Sequence, residues 1–308
     1  TDFVRGRKLD WTATPSAGPY QLTGYRKGIW ELTKNPHHKG HVPGTPISVQ
    51  CIELSDSDAF AQLQAGTVHI VFPRRNQEPA HHQSILAAGH QALRLFGQTY
   101  TLTFRENPGN PWTKDVNLRR SLALAVESVK GKLPLDCEAT SQLLQGPGLG
   151  RISNHDGGLR SESKLSGPIP RLRITSVGGP VPEVILNSLQ TVLPRVELCW
   201  VEDFVQLYSD PTARETEAVL TWNDYCGEDP FISLYNGFNP SRPLLWDSGE
   251  HRNDLIRIQN LPDTGTEKDK AYRRLHQSLL SDFGVIPVCA EWDYFYFSKI
   301  SNLIILPR

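Results

Sequence analysis

Methionine is missing from all 308 residues, where on the order of six would be ordinary. Long apolar runs are missing too, and nothing reaches the ~18 consecutive apolar residues of a membrane-spanning helix. No basic-then-apolar leader opens the chain, which begins TDFVRGRKLDW. Neither sign of charge is in excess: 32 Lys and Arg stand against 33 Asp and Glu, for a net charge of −1. That balance argues against broad attraction to nucleic acid or to an anionic membrane surface. Cysteine is sparse and scattered, at 51, 137, 199, 226 and 289, with no C-x-x-C pair, which speaks against a zinc site. Buried free thiols are the plainest reading of such cysteines, although two disulfides and a spare thiol would also fit.

Signatures of catalysis are missing as well. There is no G-x-S-x-G, no H-E-x-x-H and no paired-carboxylate motif. GPGLG (146–150) lacks the lysine of a phosphate loop and no strand leads into it, so it reads as a plain loop. Asp282-Phe283-Gly284 spells the kinase triplet but follows a helix and has no H-R-D partner, so it reads as coincidence. His37, His38 and His41, and the pair His81-His82, lie in polar stretches without Cys or carboxylate at ligand spacing. They read as solvated loop histidines. The expectation is no catalytic residue, no metal site and no cofactor.

What is present describes a globular α/β chain of about two domains. Apolar residues make up 38% and charged residues 21%, and 23 Pro and 24 Gly provide many turns. Residues 17–36 read as a hairpin that turns at Tyr25–Ile29, and 47–54 as a further alternating strand. SDSDAFAQLQAG then offers Ser or Asp caps, apolar Phe60 and Leu63, and Gly66 as the C′ stop. TVHIVF follows as a strand, and a parallel pair is the economical topology for such a strand-helix-strand unit. Residues 98–109 predict a strand, and 115–131 an amphipathic helix capped by Asp115 and stopped at Gly131.

Beyond a loop-rich stretch (132–170) the order RLRITSV, VPEVILNSLQTVL, RVELCWV, EDFVQLYSD, EAVLTWND alternates strand and helix. A polar stretch (247–270) leads into the helix KAYRRLHQSLLSD, and GVIPVCAEWDYFYFS follows as a strand pair. The segment most suggestive of a site is TWNDYCGEDP (221–230), a Gly/Pro-containing loop with two aromatics and three acids after a predicted strand. In an α/β domain that is the strand edge where ligands bind. A polar loop anchored by a buried Trp is the bland alternative.

Taken together, these elements resemble the bacterial extracellular solute-binding proteins of family 5, the peptide- and nickel-type binding components of ABC importers. AGPYQLTGYRKGIWELTKNPHHKG is similar to the family's G-T-G-P-Y-x-L hairpin, and DAFAQLQAGTVHIVF to its A-x-x-x-L-x-x-G-E-x-D-I segment. NPWTKDVNLRRSLALAV resembles its P-F-x-D-V-R-V-R-Q-A-L segment, LTWNDYCGEDPFISLY its G-W-x-x-D-x-x-D-P segment, and AYRRLHQSLLSDFGVIPV its Y-x-x-x-Q-x-x-L ending. Five weak motifs in the right order make a specific signal. The departures are that Lys34 and His38 stand at the family's Arg and aromatic positions, Asp224 follows Trp222 by two residues rather than three, and Val219 stands where some peptide binders carry an Arg.

The resemblance implies a periplasmic-binding-protein-like, class II, two-lobe α/β fold lacking its N-terminal part, so that the chain is a piece of a larger protein. Residues 1–104 would be the remainder of lobe one, 105–284 the C-terminal ligand-binding lobe, and 285–308 a return segment to lobe one. It implies non-catalytic binding of a peptide or similar small solute. Trp222 would be a wall, Asp224 or Asp229 the partner of a ligand cation, and Tyr225 a neighbour in the same loop. The implied partners are the ligand and the membrane subunits of an ABC transporter, with the chain a monomer, periplasmic or a cell-surface lipoprotein. An alternative of another class is the solute-sensing module of a cytoplasmic transcription regulator whose DNA-binding domain lies outside this chain. No nucleic acid is expected to bind through this segment.

Overall fold

The computed structural model describes residues 18–41, 43–73, 79–107, 109–133, 137–144, 149–150, 152, 169–223, 230–238, 250–262 and 266–299. The chain parts into two compact units, residues 1–71 with 300–308, and Phe72–Lys299.

In the first unit β1 (Tyr20–Arg26) and β2 (Ile29–Lys34) form the expected hairpin, and β3 (Ser48–Ile52) adds antiparallel to β2. The turn is made by Lys27 and Gly28, at φ 51° and 82°. Two successive positive φ values give a hairpin turn whose twist matches that of the strands. α1 (Asp56–Ala65) starts where the Ser55 hydroxyl accepts from Asp58 N at 3.2 Å. It ends at Gly66, whose φ of 75° is costly for any residue with a Cβ.

β4 is only Ile70–Val71. The expected parallel pairing of the strands flanking α1 is not observed: β3 pairs with β2, in a three-stranded sheet of order β1-β2-β3. Tyr25, Trp30, Ile47 and Ile52 stand exposed on this unit, and among the described residues its sheet leaves the outer edges of β1 and β3 unpaired.

The second unit holds α2 (Pro79–Ala87), β5 (Gln91–Phe104), α3 (Pro111–Lys114), α4 (Val116–Val129), β6 (Cys137–Ala139), β7 (Leu172–Val177), α5 (Pro180–Val192), β8 (Val196–Val201), α6 (Phe204–Ser209), α7 (Pro211–Arg214), β9 (Ala218–Asn223), α8 (Phe231–Gly237), α9 (His251–Gln259), α10 (Thr266–Ser281) and β10 (Val285–Phe297). Its strands run in the order β8-β7-β9-β5-β10, with β6 on β10. β7 is parallel to β8 and β9, while β5 and β10 are antiparallel to their neighbours. One face of the sheet buries Leu102, Leu220 and Ile286 against Leu122 and Val126 of α4 and Ile185 and Leu189 of α5. The other is covered by two clusters, one with Leu234, Leu255, Tyr272 and Leu279 of α8, α9 and α10, the other with Leu207 and Ala213 of α6 and α7. Helices thus cover both faces, as a sheet with parallel strands requires.

β10 corrects the expectation of a strand pair at 284–298. It is one strand of 13 residues, paired with β5 from Val285↔Thr103 to Phe297↔Gln91. β5 in turn pairs with β9, so β5, β9 and β10 share one sheet within the unit Phe72–Lys299. The ladder is irregular between Glu291 and Trp292, opposite Gly97. A Cβ on Gly97 would stand 2.8 Å from Asp293 Oδ2 and 3.2 Å from the Glu291 carbonyl, so a larger residue would require Asp293 to move and the carbonyl to give way.

Two buried polar groups, Arg119 and His276, and one exposed helix cap, Asp115, fix the unit. Arg119 on α4 donates from Nε to Asp282 O at 2.7 Å and from Nη1 to Trp112 O and Thr113 O. The Asp115 side chain accepts from Asn117 N at 2.8 Å and caps α4, as its sequence position predicts. His276 on α10 accepts at Nε2 from Leu143 N and donates from Nδ1 to Gly150 O, each at 3.0 Å. A backbone N–H cannot accept, which fixes this tautomer. Burial lowers the His276 pKa to about 4, so the ring is neutral near pH 7.

Candidate functional site

β9 alternates Leu220 and Trp222 toward one face and Val219 and Thr221 toward the other, the period-2 pattern of a strand covered on both sides. Trp222 is the second-last residue of β9, so its indole sits where the strand gives way to the loop singled out by sequence. It stands opposite Tyr100 of β5 in register, with ring centroids 5.4 Å apart at 44°. Phe204, the first residue of α6, meets the same indole edge-on at 4.8 Å and 71°. An aromatic cluster therefore gathers where β8 and β9 end. Edge-to-face and tilted ring contacts of this kind each add about 0.5–1.5 kcal/mol beyond area burial.

Behind the aromatics lies a buried polar triad. Glu291 of β10 is 3% exposed, and Gln98, its register partner on β5, donates from Nε2 to its Oε2. The Tyr100 hydroxyl donates to the same Oε2 at 3.2 Å, and Gln98 Nε2 also reaches the Tyr100 hydroxyl oxygen at 3.0 Å. The two N–H groups of one amide and the one O–H of the phenol satisfy all three contacts.

Cys137 of β6 lies opposite Glu291 and two residues out of register from Cys289. Hydrogen bonding from Cys137, reinforced by burial, raises the Cys289 thiol above the usual range, so it stays protonated. All four described cysteines are free, Cys51 and Cys199 included.

Of the four site residues expected from sequence, Trp222 is placed at the strand end as anticipated. Asp224, Tyr225 and Asp229 lie outside the described residues, as does Cys226. Sequence reasoning missed Tyr100, Phe204, Gln98 and Glu291. The signal for Glu291 was available, since it is the first acid in the otherwise apolar run VIPVCAE. A carboxylate inside a buried strand needs a reason, because burying it costs several kcal/mol unless it is held. In the histidine stretch His41 Nε2 lies 2.8 Å from Asn35 O while its buried Nδ1 has no partner among the described residues, and the His38 and His41 rings meet at 5.1 Å. Among the described residues no group of three or more His, Cys, Asp or Glu is arranged to hold a metal.

A cavity of about 320 Å³ lies at the other end of the sheet, where β7 and β8 begin, lined by Trp112, Ile169, Leu172, Leu193, Pro194 and Val196. Its lining is mainly apolar, with Arg195 the one charged side chain among those that border it. Among the described residues no helix is long and apolar enough to cross a membrane.

Comparison with known proteins places this geometry. Residues 6–128 match the sequence model of the "Bacterial extracellular solute-binding proteins, family 5 Middle". No curated protein matches the chain. Among solved structures, AppA of Clostridium difficile superposes with a TM-score of 0.68 at 14% identity, over 92% of this chain and 62% of that one. NikA of Brucella suis, in complex with Fe(III)-EDTA, gives 0.66 at 14% identity, over 94% and 65%. The oligopeptide-binding protein AppA of Bacillus subtilis, in complex with a nonapeptide, gives 0.53 at 15% identity, over 92% and 62%.

The chain therefore has the fold of the two-lobe solute-binding proteins over most of its length, and spans less than two thirds of the length of these structures. The segment 6–128 matches the model of family 5 of the bacterial extracellular solute-binding proteins, the family that the sequence motifs resemble.

Proposed function

We propose that this chain is the larger part of a non-catalytic solute-binding component of an ABC importer, and that it takes a peptide or a solute of similar size. The observation that carries the proposal is the Phe204–Trp222–Tyr100 cluster at the C-terminal end of β9. In open α/β sheets, loops leaving the carboxyl ends of strands are where ligands are held. Trp222 would supply the wall, Asp224 or Asp229 would pair with a ligand cation, and Tyr225 would lie beside them. Residues 105–284 would form most of the binding lobe, with β5 and β10 as its long link. The family match and the peptide and metal-chelate complexes of its structural neighbours support this reading. The partners would be the solute and the transporter's membrane subunits, with the chain monomeric and acting outside the cytoplasm.

Calorimetry tests the site. Wild type should bind Lys-Lys-Lys, and Asp224→Asn should weaken it by about 1.5–3 kcal/mol, the scale of a charge-assisted hydrogen bond. Binding of a neutral, capped Ala-Ala-Ala should be nearly unchanged. Equal affinity of both variants for Lys-Lys-Lys would remove Asp224 and promote Asp229. A second reading, the sensing module of a transcription regulator, draws support from the described cysteines, all free and two of them buried side by side. The first 100 residues of the full gene product separate the two, since a secretion signal and a helix-turn-helix exclude one another in role.

A further inference from the structure

We infer that Glu291 is a positioning residue of the ligand wall: it fixes the Tyr100 phenol, and the Tyr100 ring in turn fixes the Trp222 indole. The inference rests on the proposed function in that Trp222 is taken as the wall. The chain of contacts is continuous, from Glu291 Oε2 to the Tyr100 hydroxyl at 3.2 Å and from the Tyr100 ring to the Trp222 ring at 5.4 Å.

A carboxylate is not needed to hold the strands together at this point. The backbone ladder already pairs Ala290 with Thr99 and Glu291 with Gln98 on one side, and Glu291 with Cys137 on the other. An apolar side chain would satisfy the same ladder without the desolvation cost of burying Glu291. What the carboxylate adds is a fixed acceptor for two neutral donors, Gln98 and Tyr100.

The direction of control follows from geometry. Gln98 and Tyr100 are two residues apart on one strand, so they share a face, and the contact between them is 3.0 Å. The triad pins the phenol at its tip. A ring pinned at Cβ and at its hydroxyl retains little freedom, so its body presents one fixed surface to the indole. Phe204 closes the indole from the other side at 4.8 Å. Without the anchor, the Tyr100 hydroxyl loses this acceptor, and Trp222 keeps Phe204 and its apolar neighbours but not a ring fixed at both ends. Gly97 keeps this arrangement compact, because a Cβ there would strike Asp293 and the Glu291 carbonyl.

The test labels the protein with 5-fluorotryptophan and follows the Trp222 resonance, assigned through Trp222→Phe, in Glu291→Gln, Glu291→Leu, Tyr100→Phe and the Glu291→Leu/Tyr100→Phe double variant. The Trp112 resonance, from a fully buried indole in the same core, reports general loosening. Glu291→Leu and Tyr100→Phe should each move or broaden Trp222 while leaving Trp112 in place. The double variant should move it no further than either single change, and Glu291→Gln, which keeps an acceptor oxygen, should lie nearer to wild type.

A Trp222 resonance that ignores Glu291→Leu but responds to Tyr100→Phe overturns the inference, and so do Trp112 and Trp222 moving together in every variant. If Glu291→Leu does not fold, Glu291→Gln and Tyr100→Phe decide by the same criteria. In a parallel titration with Lys-Lys-Lys, Glu291→Leu should weaken binding about tenfold and Glu291→Gln less than about threefold. Failure of the wild type to bind any peptide would count against the proposed function, while the resonances would still decide whether Glu291 positions Trp222.

Discussion

Where β7 and β9 begin, polar side chains are directed at backbone carbonyls and at one another. Asn107 donates to Arg214 O and Thr216 O, and Asn110 to Arg105 O and Glu217 O. Arg105 donates to Leu207 O, and Arg173 grips Glu217 with both Nε and Nη2. That grip raises the Arg173 pKa, whereas burial lowers that of Arg105. Trp112 fills the floor at 0% exposure. Where β9 ends, three aromatic rings lean on one another and a single carboxylate stands behind them. One end ties polar side chains to backbone carbonyls over a buried tryptophan. The other leaves an indole half-buried at the end of β9. The difference teaches where this sheet is anchored, and it separates that end from the one proposed to receive a ligand.

The comparison breaks first if the anchored end is not the stabilising one. Trp112→Ala should cost about 3–5 kcal/mol of folding stability, the range for deleting a large buried aromatic. Urea denaturation reads this directly. A loss below about 1 kcal/mol would mean that the floor is loosely packed, against its complete burial.

His276 tests the tie between α10 and the 137–150 segment. Its folded pKa, about 4, lies below the ordinary 6.5, so the unfolded chain takes up a proton first as pH falls. The contribution is therefore complete above pH 6.5 and is lost progressively between 6.5 and 4. A shift of this size corresponds to at most about 3 kcal/mol. Denaturation of wild type and His276→Asn at pH 7, 5.5 and 4.5 should show a steeper acid loss in wild type. Parallel slopes would mean that the ring is not buried neutral.

At the point between the two ends where the β5–β10 ladder is irregular, Gly97→Ala should cost about 1–3 kcal/mol, the range for overpacking. The added methyl would meet Asp293 and a backbone carbonyl that cannot yield as a flexible side chain would. Hydrogen exchange of the amides flanking Gly97 should show the loss locally.

These contrasts were unevenly legible in the sequence. Asp115, Ser55 and Gly66 announced the helix ends because capping chemistry is local, and the structure places each in that role. Trp222 was found because it precedes an acidic Gly/Pro loop at a strand end. The first half of β5 and the short α2, α3 and α7 went unseen, because neither apolar period marks them. The single long β10 was read as a pair because Glu291 and Asp293 interrupt its apolar pattern, and only the pairing with β5 over its whole length explains why they do not break it. Tyr100 and Glu291 are separated by nearly the whole middle of the chain, so their contact belongs to tertiary structure alone.

The smallest effect expected is at the receiving end. Phe204 is 36% exposed and meets Trp222 edge-on, so Phe204→Leu removes one ring contact but little burial. An aromatic pair is worth about 0.5–1.5 kcal/mol, and partial exposure places this one near the lower limit. Leucine keeps apolar contact with α6, so the urea midpoint should fall only slightly. The indole, however, loses the partner on its open side. Acrylamide quenching of tryptophan emission should therefore rise relative to wild type, and the rise should vanish in a Trp222→Phe background. Asn107→Ala at the anchored end is the matched control, since it should cost about 1 kcal/mol through its two lost carbonyl bonds without altering quenching. If Phe204→Leu destabilises as much as Trp112→Ala, or if Asn107→Ala changes the quenching, the two ends of the sheet are not divided between anchoring and reception, and the aromatic cluster is core.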